Sequence, residues 1–143
     1  TDRTPFHPGK AEIFWQSSKP QVLIIGCGPL LYNALLAAHD LEKEEKIGTV
    51  VLNCHTIKPI DEKEIITLAK RTGAVVTVEE HQVTAGLGGA VAEVLAKHAP
   101  TPMEFVGMQN TFGESGLPAQ LLEKYGMGVK HIKSAVKRAI RRK

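Results

Sequence analysis

The sequence predicts a three-layer α/β/α domain built on a mostly parallel five-stranded sheet with one antiparallel strand. Three observations predict it. Short β-branched runs alternate along the chain with amphipathic stretches of helical period. The junctions between them are glycine and proline clusters of the kind that turn a strand into a helix. One run, Gln21-Val-Leu-Ile-Ile25, is apolar almost throughout, as a strand must be when helices cover both faces of its sheet.

The elements follow in order. Pro5, Pro8 and Gly9 mark residues 1–10 as a linker from a preceding domain, and residues 11–143 as one domain. The chain opens at Thr1 without a methionine and reads as a piece of a longer protein. Ala11 to Trp15 is a short strand, and Gln16-Ser-Ser-Lys-Pro20 is a turn so short that it predicts an antiparallel hairpin with the next strand. Gln21 to Ile25 is a central strand. Gly26-Cys27-Gly28-Pro29 breaks the chain, and Leu30 to about Lys46 is a helix with Leu31, Leu35, Ala38 and Leu41 on one face. Gly26 and Gly28 resemble the start of a dinucleotide fingerprint, but Leu31 stands where its third glycine belongs, so a tight turn is the better reading.

Gly48 to Leu52 is the third strand. Pro59 closes off the segment behind it, and Asp61 with Glu64 starts a capped helix, Glu62 to Thr72, that Gly73 ends. Asp61 is therefore structural. The stretch from Ala74 to Leu95 is the pivot of the chain: a β-branched strand, then Glu80 and His81, three glycines (Gly86, Gly88, Gly89), and a helix through Val91, Val94, Leu95 and His98. Pro102 to Gly107 is a weaker fifth strand. A Gly/Ser/Pro loop from Asn110 to Pro118 leads to a short helix, Ala119 to Tyr125, and to a last helix striped by Val129, Ile132, Val136 and Ile140.

The 143 residues, 43% hydrophobic and 23% charged, suffice for one domain with a core and not for two. No apolar run approaches the roughly 18 to 20 residues that cross a bilayer, and no signal peptide opens the chain. Cys27 and Cys54 form no CxxC pair, which predicts reduced thiols and a cytoplasmic location. The net charge of +3 is concentrated at the end, where Lys130, Lys133, Lys137, Arg138, Arg141, Arg142 and Lys143 are all assigned to the last helix. Without interleaved aromatics these read as a solvated helix face rather than a nucleic-acid surface. No membrane or nucleic-acid partner is expected.

Cys27, Cys54, His55, Glu80 and His81 fall at the carboxyl ends of strands, where ligands of α/β sheets collect. They include thiol, imidazole and carboxylate groups, the ligand types of zinc, but not at the spacing of a known zinc site. The glycine turns at Gly26, Cys27, Gly28 and at Gly86, Gly88, Gly89, with Glu80 and His81 beside them, form a candidate anion or regulatory site, since both feed helix N-termini. No nucleophile elbow, P-loop or linked nucleophile and base is present, so no catalytic, cofactor-binding or metal-binding residue is assigned.

Four landmarks occur together: Gly26-Cys-Gly28 after an apolar strand; His55-Thr-Ile-Lys-Pro-Ile-Asp61; Val78-Glu-Glu-His81 with Gly86-Leu-Gly-Gly89; and Phe112-Gly-Glu-Ser-Gly116 before Leu121-Leu-Glu-Lys-Tyr-Gly126. From Pro20 onward the chain resembles the C-terminal, third domain of a transketolase, most of all the C-terminal section of transketolases split into two polypeptides. Pro5 to Lys10 resembles the linker before that domain. The resemblance implies an enzyme of sugar phosphate metabolism, in the pentose phosphate pathway, that moves a two-carbon ketol unit using thiamine diphosphate and a divalent metal, Mg. In that family the cofactor lies between the first two domains across a dimer. The implied partners of this piece are the remaining transketolase domains or an N-terminal subunit, and the isolated chain is expected to be inactive with no cofactor bound. Third domains of deoxyxylulose phosphate synthases and beta subunits of 2-oxo acid dehydrogenases are the nearest alternatives.

Overall fold

The computed structural model describes residues 6–143; the first half of the expected linker lies outside them. Five strands, β1 (Glu12–Gln16), β2 (Pro20–Gly26), β3 (Gly48–Asn53), β4 (Val75–Gln82) and β5 (Met103–Met108), alternate with five helices, α1 (Leu30–Glu45), α2 (Glu62–Thr72), α3 (Leu87–His98), α4 (Pro118–Lys124) and α5 (Val129–Ile140). The sheet order is β1-β3-β2-β4-β5, parallel except for β1.

Strand alternation divides the core into two layers. Val22, Ile24, Val51, Val76 and Val78 point to α1 and α5, where Leu30, Ala34, Leu41, Ile132 and Val136 meet them. Leu23, Ile25, Val50, Leu52 and Val75 point the other way, to Ile65 and Leu68 of α2 and Val91 and Leu95 of α3. α1, α2, α3 and α5 each bring an apolar stripe to a strand face, which is why the central strands carry no polar alternation.

One expectation fails. β1 is no hairpin partner of β2; it pairs antiparallel with β3, with Glu12 opposite Asn53 and Gln16 opposite Val50. The link from Gln16 to Pro20 crosses the start of β3. Four backbone steps extend to roughly 13 Å, which exceeds two strand spacings of about 4.8 Å each, so a short link can skip a strand. The crossing is pinned in place: Ser17 N–H donates to the Thr49 carbonyl at 2.9 Å, and Thr49 N–H donates to Ser17 Oγ at 3.0 Å. Gly48 makes the crossing possible, since a Cβ there would run into the Lys19 carbonyl.

The charged end of the chain is also organised differently from expectation. α5 stops at Ile140, so Arg141 to Lys143 lie beyond it. Its cations are engaged rather than merely solvated. Lys133 reaches Glu44 at 2.9 Å, Lys137 reaches Glu45 at 3.1 Å, Lys130 pairs with Glu123, and Arg138 and Arg142 both hold Glu104 of β5 at 2.8 Å. Lys143 Nζ donates to the Gln21 carbonyl at 2.5 Å. These pairs fasten α5 to α1 and to the β5 edge.

Candidate functional site

The carboxyl edge of the parallel strands is where a ligand site of this fold would form. Every polar group singled out from the sequence does lie there, but the edge is organised by a residue that was not among them. Glu79 is only 1% exposed. Its two carboxylate oxygens accept the N–H groups of Leu87 and Gly88, each at 2.8 Å. α3 begins on Gly86, which has no side chain to cap the helix, so β4 supplies the cap from across the turn.

This arrangement explains the glycines. A Cβ on Gly86 would fall on the Glu79 carboxylate, and one on Gly88 would come within 2.7 Å of the Phe105 ring and 2.9 Å of Thr77 Oγ1. Gly89 has nothing within 4 Å of such an atom. The N-terminal N–H pair of α3, the feature that marked the turn as an anion cradle, is thus already engaged by the chain's own anion. The negative charge also sits favourably at the positive end of the helix dipole.

Why the sequence pointed one residue away is a matter of parity. Val75, Thr77 and Glu79 share one face of β4, and Val76, Val78 and Glu80 the other. Glu80 is exposed and lines a cavity beside α4. His81 is exposed as well, its Nδ1 3.0 Å from the Gln82 carbonyl and 4.0 Å from Glu79 Oε2. Counting alternation inward from Val75 marks Glu79 as the inward carboxylate.

The other turn is self-contained. Gly28 has φ +67°, the left-handed region that favours glycine, and Leu31 and Tyr32 N–H groups donate back to Gly28 and Pro29 at 3.2 Å. Cys27 and Cys54 follow neighbouring strands and sit in the same apolar layer. Burial, with Glu79 nearby, raises the Cys27 thiol above its ordinary pKa. Burial first, then Cys27 and Asp61, push Cys54 up to about 12. Both stay protonated at neutral pH, the inert end of thiol behaviour. His55 stacks on Phe6 at 4.4 Å between ring centroids and shares a 2.9 Å hydrogen bond with Thr56 Oγ1. Asp61 accepts from Glu64 N–H at 3.4 Å and from Ala11 N–H at 3.2 Å, capping α2 and tying down the start of β1.

Among the described residues no three His, Cys, Asp or Glu side chains converge as metal ligands. No helix is long and apolar enough to cross a membrane among the described residues. A diphosphate with its metal needs several free donors and carboxylates in one cleft. The groups at this edge do not form such a set, because Glu79 and the α3 N–H pair satisfy each other and Asp61 is taken up by the N–H groups of Glu64 and Ala11. The edge is built to hold its own shape.

A family model described as "Transketolase, C-terminal domain" matches residues 9–132. The chain is 41% identical over 143 residues to the 6-deoxy-6-sulfo-D-fructose transketolase subunit SqwH of Clostridium sp. (strain MSTE9), covering 100% of this chain and 44% of that one. It is 39% identical over 133 residues to the transketolase of Rattus norvegicus, covering 92% of this chain and 21% of that one. Among solved structures, "Split gene transketolase, inactive beta4 tetramer" superposes with a TM-score of 0.92 at 41% identity, covering 99% of this chain and 45% of that one. The chain thus spans less than half the length of these relatives.

Proposed function

Because the chain belongs to the transketolase C-terminal domain family, we propose that it serves as the closing domain of a thiamine diphosphate- and Mg-dependent transketolase of the cytoplasm, contributing framework and interface and no reacting group. The transferred unit is a two-carbon ketol fragment, moved from a ketose phosphate, or a ketose with another anion at carbon 6, to an aldose phosphate. Relatives named as transketolases support this reading over a deoxyxylulose phosphate synthase or a 2-oxo acid dehydrogenase beta subunit.

One observation carries the assignment of a framework role. The buried carboxylate of this edge, Glu79, spends both oxygens on backbone N–H groups, which leaves neither the carboxylate nor that N–H pair free for a ligand. Cofactor and substrate therefore belong to the rest of the enzyme, either preceding domains or a separate subunit. The word "inactive" in the description of the similar beta4 tetramer points the same way.

The test is reconstitution. The chain is purified alone and also as part of the complete polypeptide or subunit pair, and ketol transfer is assayed from a ketose phosphate and from 6-deoxy-6-sulfo-D-fructose. Transfer is expected only from the complete enzyme, with thiamine diphosphate and Mg added. Transfer by the isolated chain would overturn the framework role, and a complete enzyme without ketol transfer from either donor would overturn the activity.

A further inference from the structure

The four large apolar side chains most exposed to solvent share one edge of the sheet, while Ile13, Phe14, Leu36 and Phe105, each less than half exposed, lie elsewhere on β1, α1 and β5. Phe112 is 98% exposed, and Phe6, Tyr32 and Leu117 are each 65% exposed. All four lie at the carboxyl edge of the sheet, as does the less exposed Ile57. Phe6 stacks on His55 just past β3, Tyr32 is in the first turn of α1 after β2, and Ile57 is in the link from β3 to α2. Phe112 and Leu117 are in the loop after β5. A cluster of exposed apolar groups on one face marks an interaction surface, whereas single ones carry no such meaning.

The loop that presents Phe112 is fixed in shape. Gln82, at the end of β4, donates from Nε2 to the Thr111 carbonyl at 2.8 Å and accepts the Asn110 N–H on Oε1 at 2.9 Å. Tyr125 OH donates to the Phe112 carbonyl at 3.3 Å, and Lys124 holds Glu114 at 2.6 Å. The backbone on both sides of Phe112 is tied while its ring stands in water. α4, which follows, buries none of its residues and borders a cavity of about 310 Å³ lined by Met108, Leu121, Leu122 and Met127. An apolar knob ordered beforehand on a rigid loop avoids the loop-ordering part of the entropy cost of binding.

We propose that this edge, with Phe112 as its anchor, is the surface on which the preceding domain of the transketolase docks. The proposal rests on the function proposed above. What identifies the occupant is where the chain enters. Phe6 packs at His55, Ala11 is held by Asp61, and β1 starts at Glu12 opposite Asn53, the carboxyl end of β3. Polypeptide joined ahead of this domain, as in relatives of which the chain spans 44% or 21%, arrives at this same edge. From β1 to β5 is four strand spacings, roughly 19 Å. An ordinary domain is more than about 30 Å across and can cover the whole edge.

The experiment is hydroxyl-radical footprinting of the isolated chain and of the complete enzyme, read residue by residue by mass spectrometry. The expected result is that Phe112 and Tyr32 lose at least about fivefold of their labelling rate in the complete enzyme, as burial of an exposed ring requires. Phe14, on β1 away from the edge, is the internal reference. Equal labelling of Phe112 in both forms overturns the proposal, as does protection in the isolated chain that grows with its concentration, which would make a second copy the occupant. A second measurement uses Phe112→Ala: its unfolding midpoint should match the unsubstituted protein in the isolated chain and fall by several degrees in the complete enzyme. An unchanged midpoint in both counts against docking. Ketol transfer is assayed on the same preparations, so protection without transfer faults the activity alone, and transfer without protection faults the docking alone.

Discussion

Glu79 Oε1 accepts the backbone N–H of Gly88 at 2.8 Å, joining the end of β4 to the first turn of α3 through a carboxylate that solvent does not reach. The same side chain takes the neighbouring N–H of Leu87, so its removal leaves two buried donors without partners. Glu79→Ala is expected to lose about 2 to 4 kcal/mol of stability, and Glu79→Gln roughly half of that, since one oxygen remains. Urea unfolding checks it: the midpoint should fall at unchanged slope, and equal midpoints for all three proteins would remove the cap from the account.

Two adjacent glycines should respond in opposite directions. Gly88→Ala places a methyl against Phe105 and Thr77 and is expected to cost about 1 to 3 kcal/mol through overpacking. Gly89→Ala meets open space within a helix and is expected to gain about 0.5 to 1 kcal/mol. Thermal unfolding of the pair gives both signs at once.

Asp61→Ala removes the cap of α2 and the anchor of Ala11 together. A loss of about 1 to 2 kcal/mol is expected by chemical denaturation. Backbone exchange at Ala11 and Glu64 should speed up while that of β2 does not.

Glu104 gives the β5 edge a dependence on pH. Partial burial acts to raise its pKa, but hydrogen bonds and charge from Arg138 and Arg142 outweigh it, and the carboxyl lies below its ordinary value. A depressed carboxyl contributes stability that is complete above its unfolded pKa, about 4.3, and is lost as pH falls through the folded value. Glu104→Gln should therefore cost about 1 kcal/mol near pH 7, with the difference shrinking below about pH 4. A difference that stays constant from pH 7 to pH 3 would show that the pair does not act through charge.

Cys54, with its thiol pushed up to about 12 by burial, should resist alkylation at pH 8. Cys27, partly exposed and also raised, should react slowly. Peptide mapping after iodoacetamide, with and without denaturant, is the check: prompt labelling of native Cys54 would contradict its placement.

Most of the architecture is legible in the sequence because each central strand is a run of β-branched residues and each helix carries an apolar stripe, signals that local physics enforces. The helix caps at Asp61 and Gly73 are equally local, and both occur where the residues indicate. What escaped was non-local. Pairing of β1 with β3 depends on Gly48 yielding space to the Lys19 carbonyl, a contact between segments far apart in the chain. At the carboxyl edge the residues Glu80 and His81 drew attention for being polar after a strand, while the organising group was Glu79, distinguished only by strand parity. The tail cations looked solvated because their partners, Glu44, Glu45 and Glu104, lie on other elements.

The placement of β1 against β3 bears on how the polypeptide matures. On a ribosome β1 has no docking edge until residues 48–53 have joined β2, so it must wait, unpaired, while about 40 further residues are made. That waiting segment carries Ile13, Phe14 and Trp15, and the first two stay exposed even at the end, so it is a strand on which another chain could pair. When it finally closes over β3 it takes the outermost place on that side of the sheet, so two strands made after it must meet before it can be set.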